Sequence, residues 1–383
     1  MQLKCNNALI KKMKRTIIAL AMMMGTIMTQ AQDQNFWIFL CFGQSNMAGQ
    51  APIEQQDSLV SDRYLSMATT NGGDGRVLGT WRKAIPPLCR HDAHLGPVDY
   101  FGRTLLDVVP KDVRIGIVSV AVEGCPITFF DKDKNAALIA KEERDWMNGI
   151  LNQYGRDPYK RLLDMAKLAV KDGVVKGILL HQGETDAYND QWHKEVRKIY
   201  RDLQMELKFD SAAVPLLVGE VVRKEYGGIC AHANPTINDI ANHYPNTYVV
   251  SSEGCLPSSD NLHFSSEGYR QLGRHYALKY LEATNPGLAA VCKQQLDKQQ
   301  SHVQQATSAL TVETKVKEGK TMSVSASEPI VQVEVVSFSG KTVKTYHFEG
   351  LQKFDINLQE LPREKLVLVF RSKTGRATAN VEL

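Results

Sequence analysis

The sequence predicts an α/β fold, in which a five-stranded parallel sheet is covered by helices on both faces and a small C-terminal β-sandwich follows. Short apolar runs alternate with longer amphipathic runs as far as about residue 280, which is typical of strand–helix alternation. After about residue 310, apolar residues recur at every second position between frequent turns, as in a sandwich of short strands. The 383 residues, 43% of them hydrophobic and 23% charged, are enough for two globular domains.

Residues 1–31 are predicted to be an export signal. A basic stretch ending in Lys14-Arg15 precedes an apolar run at 17–28, which is too short to span a bilayer. This segment carries five basic residues and no acidic one, so without it the formal net charge falls from +4 to −1. A mature chain close to neutrality has no electrostatic footprint for nucleic acid. We expect an exported protein (periplasmic, cell-surface or extracellular) with no membrane span, the alternative being an amphipathic helix that stays attached.

Residues 32–283 are predicted to be the first domain. Compact runs rich in β-branched and aromatic side chains fit buried strands, and they lie at 36–42, 113–120, 175–180, 216–222 and 248–251. Amphipathic helices are predicted between them, at 97–108, 158–170, 191–207, 236–243 and 266–281. The segment 51–96 is predicted to be a long loop. In such sheets, ligands bind at the carboxyl ends of the strands, so the chemistry is expected to follow strand ends.

The remaining residues are predicted to form a linker at 284–308 and the β-sandwich at 309–383. The linker is rich in glutamine, and Asn285-Pro286-Gly287 marks the end of the preceding helix. Ser339-Gly340 and Thr374-Gly375 are expected to be turns between strands.

The first predicted strand runs into the block GQSNMAG at 43–49. A serine on a sharp strand–helix turn exposes its hydroxyl at the carboxyl edge of the sheet, which makes Ser45 a candidate nucleophile. The block differs from the Gly-x-Ser-x-Gly elbow of α/β-hydrolases, because Met47 stands at the second glycine position. A serine that merely caps the turn is the alternative.

A second block, DNLHFSSEG at 260–268, follows the fifth predicted strand. His263 at this place can act as general base toward Ser45, and Asp260 can reach the other ring nitrogen. The alternative is a loop turn with a helix cap supplied by Ser265 or Ser266.

Two further strand ends offer hydrogen-bond donors for an oxyanion. Gly124 follows the second strand and can present its backbone N–H, and Gln182 follows the third strand and can present its side-chain amide. One such donor is worth about a hundred- to a thousandfold in rate. Glu184 lies on the same loop as Gln182, so it is an alternative to Asp260 as the acid that orients His263.

The blocks at 43–49, 181–186 and 260–263 resemble the signature of the SGNH hydrolase superfamily, and more narrowly its sialate O-acetylesterase and acetylxylan esterase branch (carbohydrate esterase family six). The resemblance covers about 36–282. It implies a flavodoxin-like three-layer α/β/α sandwich and a serine esterase that needs no cofactor. It also implies Ser45 as nucleophile, His263 as base, Asp260 as its partner, and an oxyanion hole formed by Ser45, Gly124 and Gln182. The implied substrate is an acetylated polysaccharide or glycan.

Three alternatives remain at this stage. The fold also serves esterases that act on longer acyl chains, and a non-catalytic carbohydrate-binding protein could retain it. A metal site is a third possibility, but the residue types suited to it have no recognised spacing, so no metal is predicted; they are His91, His94, His181, Glu184 and Asp186. Four aromatic residues could stack on sugar, although core or loop packing is the commoner role; they are Trp81, Phe129, Phe130 and Trp146.

The C-terminal part is similar to the sorting domains of type IX secretion. The similarity rests on residues 335–345, with their Ser-Gly-Lys turn, and on the run from 355 to 383. It departs from that pattern at 363–366, where Arg-Glu-Lys-Leu stands in place of a glycine and an aromatic residue. A sandwich packed on the esterase and an accessory carbohydrate-binding module are the alternatives.

Overall fold

The computed structural model describes residues 32–317, 321–337, 342–363, 365–372 and 376–382. The predicted export signal and the two turns predicted at 339–340 and 374–375 lie outside these residues. Of the helices that the model describes, none is long and apolar enough to cross a membrane.

A seven-stranded sheet forms the centre of the region 33–284. Its strands in chain order are β1 (Asp33–Gly43), β2 (Tyr64–Met67), β3 (Trp81–Lys83), β4 (Arg114–Ala121), β5 (Gly173–His181), β6 (Leu216–Gly219) and β7 (Thr247–Val250). The order across the sheet is β3-β2-β4-β1-β5-β6-β7, and every neighbouring pair is parallel except β2 and β3. The prediction of a central parallel sheet is confirmed for every neighbouring pair of strands except β2 and β3, which are antiparallel.

The predicted strand number of five is wrong, because β2 and β3 lie within the segment predicted to be a long loop. These strands contain only four and three residues, too few to show an apolar pattern. Pairing with β4, in which Tyr64 lies opposite Ile115, extends the sheet at this edge. Their strand conformation therefore depends on tertiary contacts rather than on local sequence.

Nine helices are described, four more than the sequence predicted. In chain order they are α1 (Ser45–Ala48), α2 (Pro97–Val108), α3 (Asn135–Ile139), α4 (Asp145–Gln153), α5 (Pro158–Ala169), α6 (Trp192–Leu207), α7 (Asn234–His243), α8 (Ser266–Thr284) and α9 (Pro286–Ala309). The segment predicted as a linker is the helix α9.

Helices cover both faces of the sheet. The Phe39 ring on β1 lies 4.8 Å from Phe101 on α2 and 5.0 Å from Tyr280 on α8, measured between ring centroids. Phe42 lies three positions further along the strand, so its side chain projects from the opposite face. There it packs 5.2 Å from Phe130. All these rings are buried, which anchors β1 in the middle of the core.

The C-terminal part contains one five-stranded antiparallel sheet. Its strands are β8 (Val312–Lys317), β9 (Thr321–Ser337), β10 (Thr342–Asn357), β11 (Lys365–Ser372) and β12 (Arg376–Glu382). The order is β10-β9-β11-β12, with β8 paired to β9. Its buried residues form an apolar cluster distinct from the one around the seven-stranded sheet. The β-sandwich stays a prediction, since the described strands belong to a single hydrogen-bonded sheet.

Candidate active site

Ser45 stands at the carboxyl end of the central strand β1, on a turn that requires glycine. Gly43 has a φ of +152°, and a Cβ at this position would lie 2.0 Å from the carbonyl oxygen of His181 on the neighbouring strand. The next residue, Gln44, donates its N–H to that same oxygen over 3.1 Å. The close approach of the two strand ends therefore fixes where the chain turns into α1 and where Ser45 lies.

His263 lies between Ser45 and Asp260. Its Nε2 is 2.8 Å from Ser45 Oγ, and its Nδ1 is 2.7 Å from Asp260 Oδ2. The His263 side chain is 19% exposed, so a substrate can reach it from solvent. The structure thus brings Ser45 into contact with His263, which lies 218 positions later in the sequence. Asp260 and His263 lie in one loop, three positions apart. This arrangement can relay a proton between a hydroxyl and an imidazole that is held by a carboxylate.

Asp260 is held in the ionised form by its surroundings. Partial burial opposes ionisation, but the backbone N–H groups of His263 and Leu262 both donate to Oδ1 over 2.9 Å. The hydroxyl of Ser258 donates to the same oxygen over 2.7 Å. Together with the bond to the His263 ring, these donors hold the pKa of Asp260 well below its usual range. The carboxylate therefore remains available as an acceptor for His263 Nδ1–H.

The backbone amides of Ser45 and Gly124 lie at neighbouring strand ends, where the Val122 N–H donates to the carbonyl oxygen of Gly43 over 3.0 Å. Gly124 has a φ of +61°, a conformation that favours glycine. Among the residues that the structure describes, the N–H groups of Ser45 and Gly124 have no hydrogen-bond acceptor. They are the donor type that an oxyanion hole uses.

Unlike the backbone amides of Ser45 and Gly124, the side-chain amide of Gln182 is already hydrogen-bonded within the protein. It is fully buried, and its Oε1 accepts the indole N–H of Trp192 over 2.5 Å, which fixes the orientation of the amide. Its Nε2 donates to Asp186 Oδ2 over 2.5 Å and to the carbonyl oxygen of Cys125 over 3.3 Å. Both amide protons therefore already have protein acceptors. Trp192 lies ten positions after Gln182, and no sequence signal pointed to this contact.

Glu184 bonds to Asn46 and, within the described residues, makes no hydrogen bond to His263. Its Oε1 accepts from Asn46 Nδ2 over 2.6 Å. Burial raises the pKa of Glu184 against the opposing effect of that hydrogen bond. The structure thus separates the two candidate acids, because Asp260 contacts the His263 ring and Glu184 contacts the residue after Ser45.

Sequence reasoning missed Asn46 and Tyr269. Asn46 Oδ1 accepts from the Tyr269 hydroxyl over 2.7 Å, and all of these polar groups are buried. The position of Asn46 inside the serine block was the available signal, and the hydroxyl of Tyr269 on α8 gave none.

The metal-ligand types considered from the sequence do not form a group of three or more ligand atoms among the described residues, although His181 Nε2 lies 3.9 Å from Glu184 Oε1. His181 is buried, its Nδ1 lies 3.2 Å from the Tyr276 hydroxyl, and burial lowers its pKa to about 3. His91 and His94 lie exposed in the loop before α2. In the described part of the chain, one acidic group has metal-like spacing, but the Lys198 ammonium lies within 2.9 Å of each member; it comprises Asp131, Asp133 and Asp202.

Comparison with known proteins gives one family match and several structural likenesses. Residues 35–282 match the family model for a carbohydrate esterase, sialic acid-specific acetylesterase. A solved structure of a protein from Arabidopsis thaliana is 20% identical with a TM-score of 0.49, and the alignment covers 65% of this chain and 99% of that one. The structure of NanS is 16% identical with a TM-score of 0.48, and the alignment covers 66% of this chain and 98% of that one. The family match includes every candidate residue of the site.

Proposed function

The chain belongs to the sialic acid-specific acetylesterase family of carbohydrate esterases, and on that premise we propose that it removes acetyl groups from O-acetylated saccharides by a Ser-His-Asp mechanism. The observation that carries the proposal is the position of His263, whose two ring nitrogens lie 2.8 Å from Ser45 Oγ and 2.7 Å from Asp260 Oδ2. That is the relation of nucleophile, base and orienting acid found in serine hydrolases.

The reaction proceeds in two steps. His263 Nε2 takes the Ser45 proton as Oγ attacks the carbonyl carbon of the ester, and the resulting imidazolium is stabilised by Asp260. The same proton then passes to the sugar oxygen as the bond between that oxygen and the carbonyl carbon breaks. The acetyl group remains on Ser45. In the second step His263 takes a proton from water as the hydroxide oxygen attacks the acetyl carbon. The imidazolium returns that proton to Ser45 Oγ as the bond between Oγ and the acetyl carbon breaks, and acetic acid leaves and ionises in solvent.

The N–H groups of Ser45 and Gly124 are the proposed donors to the oxyanion. Gln182 is proposed as a third donor, which requires its amide to exchange the longer bond, 3.3 Å to Cys125 O, for the oxyanion. Such donors act where the substrate excludes water, so each is worth more than in bulk solvent. Activity of this kind needs no cofactor.

Export is part of the proposal, supported by the basic and apolar pattern of residues 1–31. A sorting role is proposed for the C-terminal part on its similarity to type IX secretion domains.

The test is acetate release by the mature protein from acetylated xylan and from O-acetylated sialoglycans. Ser45→Ala is expected to abolish release, while Ser61→Ala, an exposed serine before β2, serves as the matched control and retains it. Release that survives in Ser45→Ala would contradict the proposal. Nitrophenyl esters from acetate to octanoate complete the test: a steep fall beyond acetate supports the deacetylase, and equal rates indicate an esterase for longer chains. Saccharide binding without any release would indicate a binding protein.

A further inference from the structure

Trp146 is an exposed aromatic residue directly beside the candidate oxyanion hole. A Cβ built on Gly124 would lie 3.0 Å from Cη2 and 3.8 Å from Cζ2 of the Trp146 ring, so the benzo edge of the indole contacts this glycine. Trp146 is nevertheless 52% exposed. A single exposed apolar side chain is common on protein surfaces and needs no explanation by itself. One that lies at the rim of a candidate reactive site is in a position to contact a bound ligand.

The ring is held in place by a fixed cation. The Arg144 guanidinium carbon lies 5.3 Å from the ring centroid. Arg144 in turn donates from Nε and Nη2 to the two carboxylate oxygens of Glu142, each over 2.7 Å. These hydrogen bonds lower the pKa of Glu142 to about 2, so the pair stays ionised over the pH range of an assay. An aromatic surface fixed in this way loses little conformational entropy when a ligand binds to it.

The indole N–H of Trp146 has no acceptor among the described residues. By contrast, the indole N–H of Trp81 donates to Asp172 Oδ2 over 2.8 Å, and the indole N–H of Trp192 donates to Gln182 Oε1 over 2.5 Å. Trp146 therefore offers a ligand both an apolar face and one unused donor, which is the amphipathic combination that favours tryptophan in binding sites.

The other candidate aromatic residues are accounted for by packing. Phe129 and Phe130 are buried in the short 3₁₀ helix Ile127–Phe130 that follows Gly124. Trp81 packs 4.9 Å from Phe36 at the amino end of β1, the opposite end of the strand from Ser45. Of the four aromatic residues considered from the sequence, Trp146 alone combines exposure with a position beside the site.

We propose that Trp146 is the platform on which the pyranose ring of the substrate stacks, an inference that rests on the proposed function and adds a subsite to it. The C–H groups on one face of a pyranose carry partial positive charge, which is attracted to the negative face of the indole. The indole N–H can donate to a ring hydroxyl. A sugar stacked here carries its acetyl ester beside Gly124, so the platform selects saccharide esters over simple esters.

Binding is the first readout, and it is measured by calorimetry in the Ser45→Ala background with probes that carry no ester. The probes are xylotetraose and the methyl glycoside of N-acetylneuraminic acid, which separate neutral from acidic pyranosides. Trp146→Ala is expected to weaken binding of the preferred probe by about tenfold or more. Trp146→Phe retains a stacking face and is expected to lose less. Trp37→Ala is the control away from the site, because Trp37 also has a cation near its ring (Lys176 Nζ at 5.8 Å) but lies near the amino end of β1. Since Trp37 packs partly buried against the core, its variant is measured well below its melting temperature.

Kinetics provides the second readout. The ratio of kcat/KM on acetylated xylo-oligosaccharide or O-acetylated sialoside to kcat/KM on phenyl acetate is expected to fall by about tenfold in Trp146→Ala. Failure of Ser45→Ala to bind either pyranoside, or equal binding and an unchanged ratio in Trp146→Ala, would overturn the platform. Acetate release that persists in Ser45→Ala while pyranoside binding still depends on Trp146 would instead overturn the proposed mechanism and leave the platform standing.

Discussion

Asn46 Nδ2 donates a hydrogen bond of 3.1 Å to the carbonyl oxygen of Leu262, so the residue after Ser45 is joined to the residue before His263. The same nitrogen donates to Glu184 Oε1 over 2.6 Å. The loop that carries His263 is therefore tied to the serine turn by a buried side chain as well as by the contact between Ser45 and His263. Under the proposed mechanism, Asn46 is expected to position His263.

Replacing Asn46 by alanine is expected to lower kcat by about ten- to a hundredfold with little change in KM, because a small displacement of a catalytic group has that effect. The measurement is steady-state kinetics well below the melting temperature of the variant. Asn242→Ala, on the exposed surface of α7, is the control. An Asn46→Ala enzyme that is folded and has the wild-type kcat would show that the Leu262 contact does not position His263.

Asp260→Asn is expected to reduce kcat by about a hundred- to ten-thousandfold, because the asparagine amide no longer favours the protonated imidazole. Glu184→Gln, which keeps an oxygen acceptor for Asn46, is expected to cost much less. The comparison of the two variants under one assay identifies the acid that orients His263. A larger loss in Glu184→Gln than in Asp260→Asn would assign that role to Glu184.

The buried Glu184 carboxyl predicts a pH-dependent stability difference. Its pKa in the folded state is raised above the unfolded value, so stability is fully present at low pH and is lost as pH rises through the folded pKa. The glutamine in Glu184→Gln cannot ionise, so the variant does not lose this stability as the pH rises. The melting temperature of the variant minus that of the wild type should therefore become more positive from pH 4 to pH 8. Glu143→Gln removes an exposed carboxylate as a control, and a Glu184→Gln difference that does not change with pH would contradict the prediction.

Gly43→Ala is expected to destabilise the protein by about 3 kcal/mol or more, since the new Cβ would clash with the backbone of β5 in a conformation that disfavours side chains. Gly149→Ala provides the contrast. Gly149 is exposed within α4 and has nothing within 4 Å of the added Cβ, so this change should stabilise by about 0.5–1 kcal/mol. Urea unfolding of both variants measures the two effects, and a neutral Gly43→Ala would contradict the expected clash.

The central sheet could be predicted because its inner strands are continuous apolar runs, a signal that single sequences carry strongly. The rule that parallel strands place their carboxyl ends at one edge then put Ser45, Gly124, Gln182 and His263 near one another. The short strands β2 and β3 carried no such signal, because neighbouring strands rather than their own residues determine them.

Side-chain contacts within the site could not be predicted from the sequence either, because they too depend on tertiary structure. The contacts of Gln182 with Trp192 and of Asn46 with Tyr269 depend on rotamers and helix placement, not on spacing along the chain. For the same reason the sequence does not decide whether Asp260 or Glu184 orients His263. Both residues follow the ends of strands, so either could reach the imidazole.

The hydrogen bond between Ser45 and His263 joins residues 218 positions apart. Ser45 follows the central strand β1, and His263 comes after β7 at the edge of the sheet. A nascent or truncated chain that ends before this loop carries a serine with no base, and a partly unfolded form that releases β7 separates the two. Under the proposed mechanism, hydrolytic activity is therefore acquired only when the last strand and helix of the region 33–284 pack against the rest, and loss of activity reports the opening of that edge of the sheet.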